Sequence, residues 1–188
     1  GSASASTVTL SFWVRSSLTG TFGGNIANGA LSRVYPFSYT ISSANTWTKI
    51  TITIPGDTTG TWLTTNGAGM YVSFGLGVGS TYGSGTANAW TGTYADVPSG
   101  SVSVVGTSGA TWYVTGVQLE KGATATPFEN RLYGEELMLC QRYYRQSSVE
   151  PTGNNSEGSV YGYGTVGTPA GQAIPYPVSM RSAPTIAY

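Results

Sequence analysis

Segments that alternate apolar and polar residues recur along this chain, and most of them are closed by a turn rich in glycine, proline or aspartate. The first covers residues 7–16, where every second residue is apolar: Val8, Leu10, Phe12 and Val14. This period of two is typical of a β-strand with one buried face. Further strands are predicted at 50–54, 70–78 and 112–119, and weaker ones at 34–41 and 101–105.

The absence of a helical pattern between these segments indicates an all-β fold with antiparallel pairing. Charged residues make up only 9% of the chain and glycine contributes 27 residues, which suits many short strands joined by tight turns. We therefore predict an antiparallel β-sandwich of the jelly-roll kind. An immunoglobulin-type sandwich is the alternative, but Cys140 is the only cysteine, so its usual disulfide is missing.

A different pattern begins after residue 130. Glu135 and Glu136 precede an apolar run that contains neither glycine nor proline, and acidic residues stabilise the N-terminal turn of a helix. The sequence therefore predicts a short helix over residues 132–140. A strand that carries Arg142, Tyr143 and Arg145 is predicted to follow it.

We interpret the chain as two regions, a β-sandwich over 7–130 and a second region over 131–188. The second region combines the short helix with a small β-rich C-terminal part. Residues 150–188 have too few aliphatic side chains to offset the entropy of ordering them. We therefore expect this region to lie at a subunit interface, in a homotrimer whose closure also covers exposed strand edges.

Charge and residue types argue against several functions. The net charge is zero, with eight basic and eight acidic residues, whereas nucleic-acid binding requires a basic surface. No apolar run approaches the ~20 residues of a membrane span, so no membrane insertion is expected. The chain has no histidine, which removes the commonest general base and a frequent zinc ligand.

The remaining candidates for catalysis each have a structural explanation. Asp57 lies in a Pro-Gly-Asp turn, where its side chain can bond the backbone, and Glu135 and Glu136 suit a helix start. Cys140 has no histidine to activate it. We therefore predict no catalytic residue and no metal site, with a structural calcium ion at Asp57 or Asp96 as the one cofactor considered.

Aromatic residues are abundant, with five tryptophans and thirteen tyrosines. Flat rings on a polar surface can stack on the apolar C–H face of a sugar. Trp13, Trp47 and Trp112 lie in or beside predicted strands and are interpreted as core residues. The candidates for carbohydrate binding lie in the glycine- and threonine-rich segments between strands: Trp62, Tyr82, Trp90 and Tyr94. For the two tryptophans among them, a plug at the end of the sandwich is an equally good interpretation.

Four segments of the sandwich region resemble a known family. They are Leu10–Ser17, Gly20–Phe22, Trp47–Trp62 and Gly116–Gly122. Together they resemble the carbohydrate-binding-module-like jelly roll of bacteriophage tail fibres and related virion proteins, over about residues 8–130. The segment Cys140–Tyr144 is similar to the one that leads into the C-terminal region of that family.

The resemblance implies a non-enzymatic structural module on the surface of the virion. Its expected role is receptor binding during host attachment, as a tail-fibre domain. The expected partners are bacterial surface polysaccharide, further copies of the chain and other virion proteins. Two alternatives remain open. One is a purely architectural protein, such as a capsid decoration or a fibre-assembly and trimerisation domain, and the other is a polysaccharide-degrading spike with two facing carboxylates.

Overall fold

A computed structural model of the protein describes residues 1–144 and 178–182. The chain divides into two compact units, Gly1–Phe128 and Glu129–Tyr188. Most of the predicted β-rich C-terminal part, including Arg145, lies outside the described residues. Among the described residues, no helix has the length and apolar content that crossing a membrane demands.

Within the described residues, six strands form two three-stranded antiparallel sheets. The strands are β1 (Val8–Ser16), β2 (Gly20–Asn28), β3 (Val34–Ile41), β4 (Thr48–Ile54), β5 (Met70–Gly75) and β6 (Trp112–Lys121). The first sheet has the order β4-β1-β6 and the second the order β3-β2-β5. The predicted all-β sandwich with antiparallel pairing is confirmed. The jelly roll stays a prediction, because that topology has about eight strands.

The hydrophobic core lies between the two sheets. Leu10, Phe12 and Val14 point into it from β1 and are almost fully buried. The ring of Phe12 meets Tyr39 of β3 and Phe74 of β5 edge-on, with centroids 5.2 and 5.0 Å apart. Edge-to-face pairs add about 0.5–1.5 kcal/mol beyond the burial of their surface. One side chain of the first sheet therefore links it to two strands of the second.

Strand β2 lies at the centre of the second sheet, although its sequence pattern does not predict it. Both of its faces are buried. Phe22 faces the core, and on the other face the amide of Asn25 donates hydrogen bonds to the carbonyls of Ala95 and Asp96 at 3.3 and 3.1 Å. A strand covered on both faces has no need to alternate apolar and polar residues, which is why periodicity misses it.

Gly24, in the middle of β2, provides a first test of this packing. A Cβ atom there would lie 2.6 Å from Cζ of Phe37 and closer still to the carbonyl oxygen of Ser73. Since the Ser73 backbone cannot move cheaply, we expect Gly24→Ala to lower the free energy of unfolding by about 1–3 kcal/mol, measured by urea denaturation. Gly79→Ala is the control, because no atom lies within 4 Å of its new Cβ. Equal losses in the two variants would contradict the close approach at Gly24.

Two predicted strand segments differ from the structure. Residues 101–105 form no strand: Val102 and Val104 donate single hydrogen bonds to the carbonyls of Thr21 and Leu76, and the chain then turns through a glycine-rich loop. The strand predicted over 70–78 ends at Gly75, because the backbone beyond it leaves the ladder with β2.

The predicted helix is confirmed as α1 (Tyr133–Gln141). The strand predicted after it is wrong for residues 142–144. There the backbone N–H groups of Tyr143 and Tyr144 both donate to the carbonyl of Cys140, so the chain turns tightly at the end of α1. A helix end commonly satisfies its free carbonyls in this way.

Candidate functional site

The four predicted carbohydrate-binding residues come together as two ring pairs. Trp62 and Trp90 meet edge-on with centroids 5.6 Å apart. Tyr82 and Tyr94 meet in the same manner at 5.7 Å. The two pairs differ in their exposure and in how their polar atoms are used, so they have different chemical capacities.

The tryptophan pair is integrated into the fold. Both rings are half-buried and pack against the core. The indole N–H of Trp62 donates to Oδ2 of Asp57 at 3.1 Å, and that of Trp90 donates to the carbonyl of Pro55 at 2.7 Å. Since both N–H groups bind within the protein, a ligand would meet only part of each ring. The geometry favours the structural interpretation of these two rings.

Asp57 anchors this part of the molecule. Its carboxylate accepts hydrogen bonds from Arg33 at 2.7 Å, from the backbone N–H of Gly60 at 3.0 Å and from Trp62. Burial by itself would raise the pKa of Asp57, but the hydrogen bonds from Arg33, Trp62 and the backbone of Thr59 and Gly60 outweigh it and hold the pKa well below its usual range. Asp57 is therefore ionised at neutral pH, and its carboxylate has a structural role.

This environment argues against a calcium ion at Asp57. N–H donors surround both carboxylate oxygens, and a cation would have to displace them. Asp96 uses one of its oxygens to accept a hydrogen bond from Tyr94. Across residues 1–144 and 178–182, no three or more histidine, cysteine, aspartate or glutamate side chains gather in a way that could hold a metal ion.

The tyrosine pair leaves an aromatic surface open to solvent. Tyr82 keeps 50% of its surface exposed and lies against Tyr94. The hydroxyl of Tyr94 donates to Oδ1 of Asp96 at 2.6 Å, and this hydrogen bond, together with burial, raises the pKa of Tyr94. Tyr94 therefore stays protonated at neutral pH. An exposed ring can stack on the face of a sugar, and a carboxylate beside it can accept a hydrogen bond from a sugar hydroxyl.

The backbone holds this ring pair in place. The N–H of Asp96 donates to the carbonyl of Tyr82 at 2.9 Å, so the two residues cannot separate without breaking a backbone hydrogen bond. Beneath them, the amide of Asn25 donates to the carbonyl of Asp96. Oδ1 of Asn25 is buried and has no hydrogen-bond partner in the described part of the chain. A site supported from below in this way is pre-organised for a ligand.

The interpretation of the other tryptophans needs one correction. Trp112 is a core residue as predicted: it packs against the core, and its indole N–H donates to the hydroxyl of Tyr39. Trp13 and Trp47, interpreted as core, are instead exposed. For Trp13 the alternation itself contains the signal, because Phe12 and Val14 point inward and their neighbour must point outward.

Comparison of the chain with protein-family models, with curated proteins and with solved structures gives no match. The structural basis for inferring function is therefore the placement of the aromatic rings and the environment of the carboxylates. Of the aromatic residues predicted to bind carbohydrate, Tyr82 is the one with the most accessible ring.

Proposed function

We propose that this protein is a non-enzymatic bacteriophage structural module, a tail-fibre domain on the virion surface that binds carbohydrate of the bacterial host. The exposed ring of Tyr82, held against Tyr94 beside the carboxylate of Asp96, is the observation that carries the proposal. The sandwich supports it, because binding residues commonly lie on loops above a rigid scaffold. The resemblance of Trp47–Trp62 and Gly116–Gly122 to fibre modules supports it independently.

In the proposed mechanism, the apolar face of a sugar ring stacks on Tyr82 while a sugar hydroxyl donates to Asp96. Tyr94 fixes the position of both partners, through its ring contact to Tyr82 and its hydrogen bond to Asp96. Each such contact is weak, because it forms at an exposed site. Several copies of the site on a trimeric fibre multiply the binding strength without any new contact.

Hydrolysis of the bound sugar is not part of the proposal. A glycosidase needs two carboxyl groups about 5–9 Å apart across the scissile bond, one of them an acid with a raised pKa. The tyrosine site contributes a single carboxylate, that of Asp96. Asp57 has its pKa lowered and its oxygens engaged by donors, which is the opposite of what a general acid requires.

The proposal predicts that Tyr82→Ala weakens glycan binding about tenfold, the equivalent of about 1.4 kcal/mol, because the stacking surface is lost. A glycan array of bacterial surface polysaccharides identifies the ligand, and titration calorimetry with that ligand measures the change. Asp96→Asn should also weaken binding, since an amide is a poorer acceptor than a carboxylate. Tyr71→Ala is the control, because Tyr71 is similarly exposed but lies on β5.

Two results would count against the proposal. Unchanged binding in both Tyr82→Ala and Asp96→Asn would remove the site, and failure of the unmodified protein to bind any glycan on the array would remove the function. Failure to bind together with sedimentation as a trimer would favour the architectural alternative. One observation supports that alternative: among the described strands, β3, β4, β5 and β6 are all edge strands, which are available for pairing between subunits.

A further inference from the structure

The outer face of the first sheet is covered at one end. The segment after β6 crosses it there: the hydroxyl of Thr9 donates to the carbonyl of Gly122 at 2.7 Å, and that of Thr53 donates to Ala123 at 3.3 Å. As a result Thr9 and Ser11 are buried although they point away from the core. This cover protects only that half of the sheet.

The other half of the outer face is open. Strand register places Trp13 beside Lys49 of β4 and Thr115 of β6, and places Arg15 opposite Tyr113. We call these five residues the open sheet face. The two aromatic side chains keep 41% and 48% of their surface exposed. No member of the set is aliphatic and none is acidic.

The two rings of the open sheet face are accessible to a single extended ligand. Trp13 and Tyr113 are diagonal neighbours on adjacent strands, a relation that separates residues by about 7–8 Å. Gly116 borders Trp13 at a bulge in β6, where its φ of +59° favours glycine. A Cβ at Gly116 would lie 3.5 Å from Cδ1 of Trp13 and 3.7 Å from Cδ2 of Phe128, so the Phe128 ring borders the open sheet face at this end.

Positive charge accompanies these rings without a matching acid. The guanidinium of Arg15 lies 5.7 Å from the centroid of Tyr113, and no ion pair reaches it from any described residue. Its Nε atom is buried and lacks a hydrogen-bond partner in the described part of the chain. Lys49 adds a second positive charge. Glu120 is the acid whose pKa the charge of Lys49 helps to lower, but hydrogen bonds from Thr126 are the larger cause and already occupy both of its carboxylate oxygens.

We propose that the open sheet face is a second carbohydrate site, selective for acidic polysaccharides built from uronic acids. Sugar rings stack on Trp13 and Tyr113, and the carboxylate of a uronic acid pairs with the guanidinium of Arg15. Arginine suits this role because its planar fork matches a carboxylate. This site extends the proposed function but is separate from the site at Tyr82, so either can fail without the other.

Charge complementarity favours this ligand over other occupants. A second copy of the chain docked around a two-fold axis would bring Arg15 and Lys49 towards their own equivalents, and like charges oppose such contact. Nucleic-acid binding sites usually present a larger cluster of lysine and arginine side chains, whereas the open sheet face contributes only Arg15 and Lys49. A polyuronate combines stacking faces with carboxylates and matches both features of the open sheet face.

The test uses oligogalacturonate and the same oligomer with its carboxyl groups methyl-esterified, which differ in charge while keeping the same sugar rings. By titration calorimetry we expect the acid to bind about tenfold more tightly than the ester. Arg15→Gln should reduce this ratio to less than twofold, and Trp13→Ala should weaken binding of both oligomers. Circular dichroism of each variant establishes that it is folded.

Lys121→Gln is the matched control, because it removes one positive charge from the same sheet. Lys121 pairs with Val8, which lies seven residues from Arg15 along β1, or about 23 Å at ~3.3 Å per residue. The ratio of acid to ester binding should therefore not change in Lys121→Gln. Tyr82→Ala should also leave it unchanged. Equal binding of acid and ester, no measurable binding of either, or an unaltered ratio in Arg15→Gln would overturn the proposal. So would tighter binding of oligothymidylate, or self-association that Trp13→Ala abolishes.

Discussion

Replacement of Phe12 by alanine is expected to lower the free energy of unfolding of the sandwich by about 3–5 kcal/mol. Phe12 is 1% exposed, and its ring contacts Tyr39 and Phe74 on two different strands of the opposite sheet. The substitution removes apolar burial and both ring contacts, and it leaves a cavity between the sheets. A loss of this size is a large part of the 5–15 kcal/mol that stabilises a typical domain.

Urea denaturation followed by tryptophan fluorescence measures this effect, provided that the slope of the transition stays the same. Phe128→Ala is the matched control, because it removes the same atoms from a side chain that is about half exposed; we expect it to cost about 1 kcal/mol or less. Similar losses in the two variants would show that the Phe12 ring does not join the two sheets.

Replacement of Asp57 by asparagine is expected to cost about 3 kcal/mol, at the lower end of the range for breaking a buried ion pair. Asp57 is 5% exposed and receives hydrogen bonds from Arg33, Gly60 and Trp62. Asparagine has nearly the same shape, but its NH2 group would face the N–H donors that now bind the carboxylate. The substitution would also leave the positive charge of Arg33 without its partner. Asp96→Asn is the control: it weakens one hydrogen bond at a partly exposed site, worth about 0.5–1.5 kcal/mol.

The pH dependence of stability separates the charge of Asp57 from its packing. An unfolded aspartate titrates near a pKa of about 3.9, and the pKa of folded Asp57 is lower. The unfolded chain therefore takes up protons first on acidification. The contribution of Asp57 is present in full above about pH 5 and decreases as the pH falls below about 4. Calorimetry should show that the difference in stability between the unmodified protein and Asp57→Asn shrinks between pH 5 and pH 2; a difference independent of pH would contradict the electrostatic explanation.

Much of the fold follows from short-range patterns in the sequence. The alternation around Phe12 and Val14 predicts β1, and the acidic pair before an apolar run predicts α1. The same alternation contains the outward direction of Trp13, although a core role is predicted for that ring because it lies in a strongly periodic strand. These features are predictable because the side-chain period of a strand and the dipole of a helix depend only on neighbouring residues.

The candidate carbohydrate site was predicted only in part. Tyr82 and Tyr94 form an accessible ring pair, whereas Trp62 and Trp90, chosen by the same criterion of a glycine-rich setting, pack against the core. The two cases differ because the indole N–H groups are bound within the protein, that of Trp62 by Asp57 and that of Trp90 by the carbonyl of Pro55. No pattern of neighbouring residues predicts the burial of the Asp57 carboxylate, because that burial depends on its ion pair with Arg33, which is 24 residues away in the sequence.

By itself, the sequence determined the all-β class, the antiparallel pairing, most strand positions and the helix, because each depends on the period of side chains along a few consecutive residues. Only the tertiary structure decided that β2 is the centre of a sheet and which aromatic rings are exposed. The physical reason is distance along the chain. The segment around Ala95 and Asp96 covers the outer face of β2, and Asn25 binds it through hydrogen bonds to carbonyls that are 70 and 71 positions further along the chain. Burial by so distant a segment does not produce an alternating pattern in the sequence of β2.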